Sequence, residues 1–147
     1  MNTKVLGTKG ETLAEKYLQK KGYKILQKNY KNFIGEIDII CFDKKNNETI
    51  FVEVKTRQSA KYGQPCEAVN YFKQQKIYKT ATVYLKQKSL LDEKFRFDVI
   101  EILGDDINHI EYAFWLKQKS YKIITKSVFN SFLNLIICNK LIKNTKN

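Results

Sequence analysis

The sequence predicts an α/β fold, a mixed sheet flanked by helices. Two stretches repeat apolar residues at helical spacing, and several short stretches alternate apolar and polar residues as strands do. Their order is helix, three strands, helix, strand, then a C-terminal addition. That order suits an antiparallel start followed by a crossover helix. A length of 147 residues suits one core with an extra terminal element.

From Gly7 to Lys21 the apolar residues Leu13, Ala14, Tyr17 and Leu18 share a helix face, Glu11 falls in the first turn, and Gly22 reads as a C-cap. Tyr23 to Tyr30 reads as a first strand. A turn at Lys31–Phe33 leads to GEIDIICFD, residues 35–43, as a second. The polar KKNN at 44–47 is a hairpin connection to ETIFVEVKTR, residues 48–57. After the loop KYGQP a helix is expected from about Cys66 to Gln87. On it Ile77, Ala81, Tyr84 and Leu85 face one way while Lys73 and Lys76 share another side. FRFDVIEIL, residues 95–103, is a further strand, and Ile107–Trp115 adds a last strand or an irregular tail. Residues 127–143 read as one more helix, apolar around much of its circumference and too short to span a bilayer. The expected division is a domain over 1–116 and an extension over 117–147.

Composition narrows the function classes. No stretch approaches the ~20 apolar residues of a membrane span, and MNTKVLGTKGE lacks the apolar core of a secretory signal. A cytoplasmic protein is expected. Cys41, Cys66 and Cys138 are scattered and His109 is the only histidine, so neither structural zinc nor a histidine-activated nucleophile is supported. Neither a P-loop nor a dinucleotide glycine motif is present, which argues against nucleotide-driven and hydride chemistry.

The net charge of +12 favours a polyanionic partner, nucleic acid ahead of an anionic membrane. Biased lysine codon usage accounts for such a charge equally simply. Residues 1–31 carry eight bases and two acids, residues 32–72 five and six, and residues 73–147 fourteen and seven. An acid-containing centre thus lies between basic flanks.

The strand at 48–57 poses the central question. Glu53 and Lys55 are two residues apart, so they share a face of an otherwise apolar strand, where burying charge is costly. On the neighbouring strand Glu36 and Asp38 also share a face. If the hairpin register aligns these faces, Asp38, Glu53 and Lys55 converge. Two converging carboxylates repel, and a hard divalent cation relieves that repulsion. Mg²⁺ is the expected cofactor, with Mn²⁺ as a substitute, and the Val54 carbonyl is a natural further ligand. Lys55 suits a phosphate oxygen or the attacking water. The plainer reading is a Glu53–Lys55 ion pair at a solvent-facing edge with Asp38 exposed.

Asp38 followed by Glu53-x-Lys55 across a hairpin resembles the D…(D/E)-x-K signature of restriction-endonuclease-like nucleases. GEID at 35–38 and FVEVKTR at 51–57, in that order, more specifically resemble the YraN-type family of small bacterial proteins, mostly uncharacterised and predicted to be endonucleases. The likeness runs from about Gly7 to Phe114 and takes in Gly10-Glu11, Gly22-Tyr23, Asn29-Tyr30, Gly63, Pro65, Lys73 and RFDV at 96–99. It implies a restriction-endonuclease-like mixed sheet with catalytic Asp38, Glu53 and Lys55, a metal on Asp38, Glu53 and Val54, and DNA ahead of RNA as substrate, branched DNA included. A similarity to archaeal Holliday-junction resolvases gives Glu11 an accessory catalytic role; an acid in a helix's first turn also simply suits the macrodipole. Arg57, Lys73 and Lys76 are candidate phosphate contacts or solvated charges.

The chain continues beyond the family pattern after Phe114, and its terminal helix could pack on the domain, pair two copies as a homodimer or lie on a membrane surface. Three functions therefore stand: a metal-dependent endonuclease acting on DNA, a non-catalytic nucleic-acid-binding module of the same fold, and an adaptor or membrane-surface protein working through the C-terminal helix.

Overall fold

A computed structural model describes residues 3–57 and 69–114 of the chain. They comprise α1 (Thr3–Lys20), β1 (Lys24–Lys31), β2 (Glu36–Asp43), β3 (Glu48–Arg57), α2 (Tyr71–Gln87), β4 (Lys94–Leu103) and β5 (Asp106–Ile110). All belong to the unit Met1–Trp115. The expected extension at 117–147, with its helix at 127–143, lies outside the described residues.

The five strands form one mixed sheet in the order β1-β2-β3-β4-β5. β1, β2 and β3 are antiparallel neighbours, β3 and β4 run parallel, and β5 returns antiparallel to β4. The parallel pair follows from α2, which supplies the crossover. This is the expected α/β class, consistent with a restriction-endonuclease-like arrangement.

Each helix covers one face. Ala14 and Leu18 of α1 pack on Ile39, Cys41, Ile50, Val52, Ile100 and Ile102, every second residue of the three inner strands. Ile40, Phe51, Phe97 and Val99 are buried on the opposite parity. There Tyr84 of α2 meets Phe51 edge-on with centroids 5.9 Å apart, and Tyr78 lies 5.9 Å from Phe97. Cys41 is buried among apolar groups, which pushes its thiol up to about 12 and leaves it inert.

Two elements differ from the sequence expectation at their starts. α1 begins at Thr3, upstream of Gly7 and Gly10, which lower helix propensity there, so Glu11 lies beyond the first turn and not in it as the shorter expected helix implied. Gly10 has its own reason: a Cβ there would run into Thr56 Oγ1 on β3. α2 begins at Tyr71, not near Cys66. Asn70 is extended (φ −65°, ψ 162°) and its side chain accepts the Lys73 N–H at 2.9 Å, a local N-cap that sets the boundary. The region after β4 resolves into a strand, reached through Gly104 at φ 62°.

The end of the sheet at the β2–β3 hairpin carries a satisfied polar cluster. Arg96, 1% exposed, donates to both Asp98 oxygens (3.1 and 3.2 Å), to Glu48 (3.2 Å) and to the Tyr23 hydroxyl (3.1 Å). Asp98 also pairs with His109 Nε2 (2.9 Å) and accepts the Tyr112 N–H (3.0 Å). Asp98 and His109 are therefore structural residues of this cluster.

Helix α1 ends as its Gly22 predicts. Gly22 has φ +88°, its N–H reaches Gln19 O at 2.9 Å, and the Tyr23 N–H reaches Leu18 O at 3.1 Å, a Schellman pair. A Cβ at Gly22 meets nothing within 4 Å, so Gly22→Ala isolates the backbone cost. That variant should lose roughly 1–2 kcal/mol in urea denaturation; an unchanged midpoint would show that the cap contributes nothing.

Candidate active site

The β2–β3 ladder pairs Asp43 with Glu48 at the hairpin and continues to Ile39 with Val52. At the next position Asp38 turns its carboxylate into the ladder: Oδ2 accepts the Val54 N–H at 2.7 Å. β3 keeps its parallel pairing with β4 through Arg57, so only the β2 side changes partner. A residue's N–H and C=O project to the same edge of an extended strand, so the Val54 carbonyl also faces the side where Asp38 stands.

Asp38 lies on the α2 face with Glu53 and Lys55. Glu53 is 4% exposed. Its Oε1 receives Lys55 Nζ at 2.7 Å and Lys73 Nζ at 3.1 Å, while its Oε2 is buried without a hydrogen-bond partner among the described residues. The convergence expected from hairpin geometry is therefore present. The solvent-edge reading of the Glu53–Lys55 pair does not hold, because β3 is the central strand of five and Glu53 is buried.

Burial and then the Glu53 carboxylate push Asp38 up to about 6, against the lowering effect of the Val54 hydrogen bond. Glu11 of α1 adds to that rise through its charge, without a hydrogen bond to either carboxylate among the described residues. It stands beside the pair, not in it.

The outlying basic residues separate. Lys73, in the first turn of α2, reaches across to Glu53 and joins the carboxylate cluster. Arg57 Nη2 is held by Glu101 on β4 at 2.9 Å. Lys76 lines a cavity of about 370 Å³ with Lys31, Asn32, Gly35, Glu36, Lys73 and Ile77. Glu36 is bound to Lys31 at 2.9 Å, which lowers its pKa.

Asn32 escaped the sequence reading. Its Oδ1 accepts the N–H groups of Ile34 (2.9 Å) and Gly35 (3.2 Å), and its Nδ2 donates to Thr80 O on α2 (3.3 Å). It pins the β1–β2 turn to α2 and so builds the cavity wall. An Asn three residues before a Gly was the available signal.

Among the described residues no three Asp, Glu, His or Cys side chains cluster to hold a cation by themselves. Two carboxylates, a strand carbonyl and water nevertheless suit Mg²⁺, which retains much of its hydration. The fit rests on the buried Glu53 Oε2, which has no partner among the described residues, and on the burial and neighbouring Glu53 charge that raise Asp38.

The model of the uncharacterised protein family UPF0102 matches residues 10–102. A UPF0102 protein of Clostridium acetobutylicum is 52% identical over 115 residues, covering 78% of this chain and 89% of the relative. One from Clostridioides difficile is 50% identical over 116 residues, covering 78% and 100%. A third, from Alkaliphilus metalliredigens, is 48% identical over 115 residues, covering 76% and 99%. The family match contains Glu11, Asp38, Glu53, Lys55 and Lys73.

A carboxyl raised to about 6 in the fold favours the protonated folded state, so its contribution to stability is full below the usual carboxylate range and is lost as pH rises through 6. In metal-free protein Asp38→Asn, which keeps an acceptor for Val54, should therefore stabilise by roughly 2–3 kcal/mol at pH 8 and far less at pH 4. Urea denaturation at the two pH values measures this; an equal effect at both would contradict the raised titration that burial and the Glu53 charge give Asp38.

Proposed function

The chain belongs to the uncharacterised protein family UPF0102, and we propose that it is a metal-dependent endonuclease hydrolysing phosphodiester bonds in DNA. The observation that carries the proposal is Glu53: one buried oxygen shared by two lysines, the other without a partner among the described residues, beside a second carboxylate held by a backbone N–H. A purely structural carboxylate at this depth would have both oxygens satisfied. The D…E-x-K order resembles that of restriction-endonuclease-like nucleases and supports this reading, with the Holliday-junction resolvases as a more distant likeness.

In this reading Asp38, Glu53 and the Val54 carbonyl hold Mg²⁺, with Mn²⁺ able to replace it. The cation, when bound, supplies Lewis acidity toward a phosphoryl oxygen and toward water. The protein's own groups do the rest. Lys55 Nζ, anchored 2.7 Å from Glu53, can donate to the attacking water and to charge building on the phosphorus oxygens. Lys73, on the same carboxylate oxygen from the α2 side, gives a second donor toward the scissile phosphate. Glu11 contributes negative charge at the rim, an accessory role. The basic flanks favour the polyanion and carry no sequence information.

Supercoiled plasmid and a four-way DNA junction should be cut in Mg²⁺ or Mn²⁺ and not in EDTA. Lys55→Ala should lower the rate ~10²–10³-fold, the typical cost of removing one charge-stabilising donor, and Asp38→Ala should abolish cutting. DNA binding without cutting, unaffected by either substitution, would replace the proposal with the non-catalytic binding module. Cutting that survives both would mean that the site is elsewhere.

A further inference from the structure

Beside the carboxylates lies the cavity of about 370 Å³, walled by the β1–β2 turn and the first two turns of α2. Its volume is at the lower end of the ~300–1,000 Å³ of small-molecule sites. Lys31, Lys73 and Lys76 give it a positive lining, and Ile77 and Gly35 give it an apolar floor. The carboxylate in the lining, Glu36, is half exposed and, among the described residues, ion-paired only to Lys31. An exposed pair of this kind is weak and leaves Lys31 able to exchange partners.

Phe72 precedes Lys76 by four residues and so shares a face of α2 with it; it adjoins the lining residue Lys73 in sequence and is not itself part of the cavity lining. It is 81% exposed, and its neighbour Tyr71 is 64% exposed. The two rings meet edge-on with centroids 6.1 Å apart. Phe72 gives the core almost nothing, so folding does not explain it. An exposed ring flanked by lysines is the arrangement with which proteins hold single-stranded nucleic acid, the ring stacking on a base and the cations meeting phosphates.

We infer that this cavity seats one unpaired nucleotide of a DNA strand, its base stacked on Phe72 and its phosphate held by Lys31 and Lys76. A paired base hides its faces within the duplex stack, so only an unpaired or splayed base can offer a face to Phe72. Lys73 joins the two sites, since it lines the cavity and contacts Glu53 at 3.1 Å. A strand seated here delivers the adjoining phosphodiester to the carboxylates. The substrate class is thus DNA with an unpaired segment, such as a flap, a gap or an open junction. The inference deepens the nuclease reading and takes from it only that the partner is DNA.

Binding in EDTA tests it without any cutting. Fluorescence anisotropy of the full chain would compare a labelled single-stranded oligonucleotide with a blunt duplex of equal length, for wild type, Phe72→Ala and Phe72→Tyr. Wild type should prefer the single strand. Phe72→Ala should weaken single-strand binding roughly 5- to 150-fold, the range of base–aromatic stacking, and more than it weakens duplex binding, while Phe72→Tyr keeps the preference. No single-strand preference in wild type, or a preference unchanged in Phe72→Ala, would overturn the inference. With metal absent, failure here leaves the plasmid-cutting result standing, and failure of cutting leaves this result standing.

Discussion

The hydrogen bond from the Val54 N–H to Asp38 Oδ2, at 2.7 Å, organises this molecule's chemistry. It substitutes a side chain for the next rung of the β2–β3 ladder. Asp38 is thereby fixed against the central strand, on the face that also carries Glu53 and Lys55. β3 can spare that rung because β4 continues to pair it on the other side through Arg57. The parallel β3–β4 pair exists because α2 crosses over between them, and that crossover brings Lys73 down onto Glu53. The site thus depends on sheet topology as much as on its own residues.

Two polar clusters in the fold make an instructive contrast. Around Arg96 the buried charges are mutually satisfied: Asp98, Glu48 and two tyrosines meet the guanidinium or its partners, and His109 completes Asp98. Such a network holds structure together and asks for nothing more. Around Glu53 positive charge is gathered on one oxygen and withheld from the other, while Asp38 is raised by burial and by Glu53 itself. Leaving a buried carboxylate oxygen unpaired costs stability. A cation bound between the carboxylates would offset that cost, so the imbalance is intelligible as preparation for a ligand.

Much of this was legible in the sequence. The alternation in ETIFVEVKTR locates β3 at 48–57, and period two puts Glu53 and Lys55 on one face. The four-residue connection KKNN implies the antiparallel hairpin that brings Asp38 alongside. What stayed hidden depends on contacts between elements distant in sequence. Lys73 reads as one more lysine on a helix surface until the crossover places it over β3. Arg57 reads as a free charge until Glu101 arrives from β4. Apolar spacing continues upstream of α2, whereas Asn70 takes the Lys73 N–H and fixes the start of the helix at Tyr71. The cavity could not be read at all, since its wall is a β-turn tied by Asn32 to a helix carbonyl 48 residues away.

The most direct test of the central claim is calorimetric titration of Mn²⁺ into the full chain at pH 6 and pH 8, beside Glu53→Gln. Saturable binding to wild type is expected, with proton release at pH 6 as Asp38 gives up its proton and little release at pH 8, because that carboxyl titrates at about 6. Glu53→Gln should bind far more weakly. Absence of binding at either pH, or binding that Glu53→Gln leaves unchanged, would contradict the claim that these carboxylates are held together for a divalent cation.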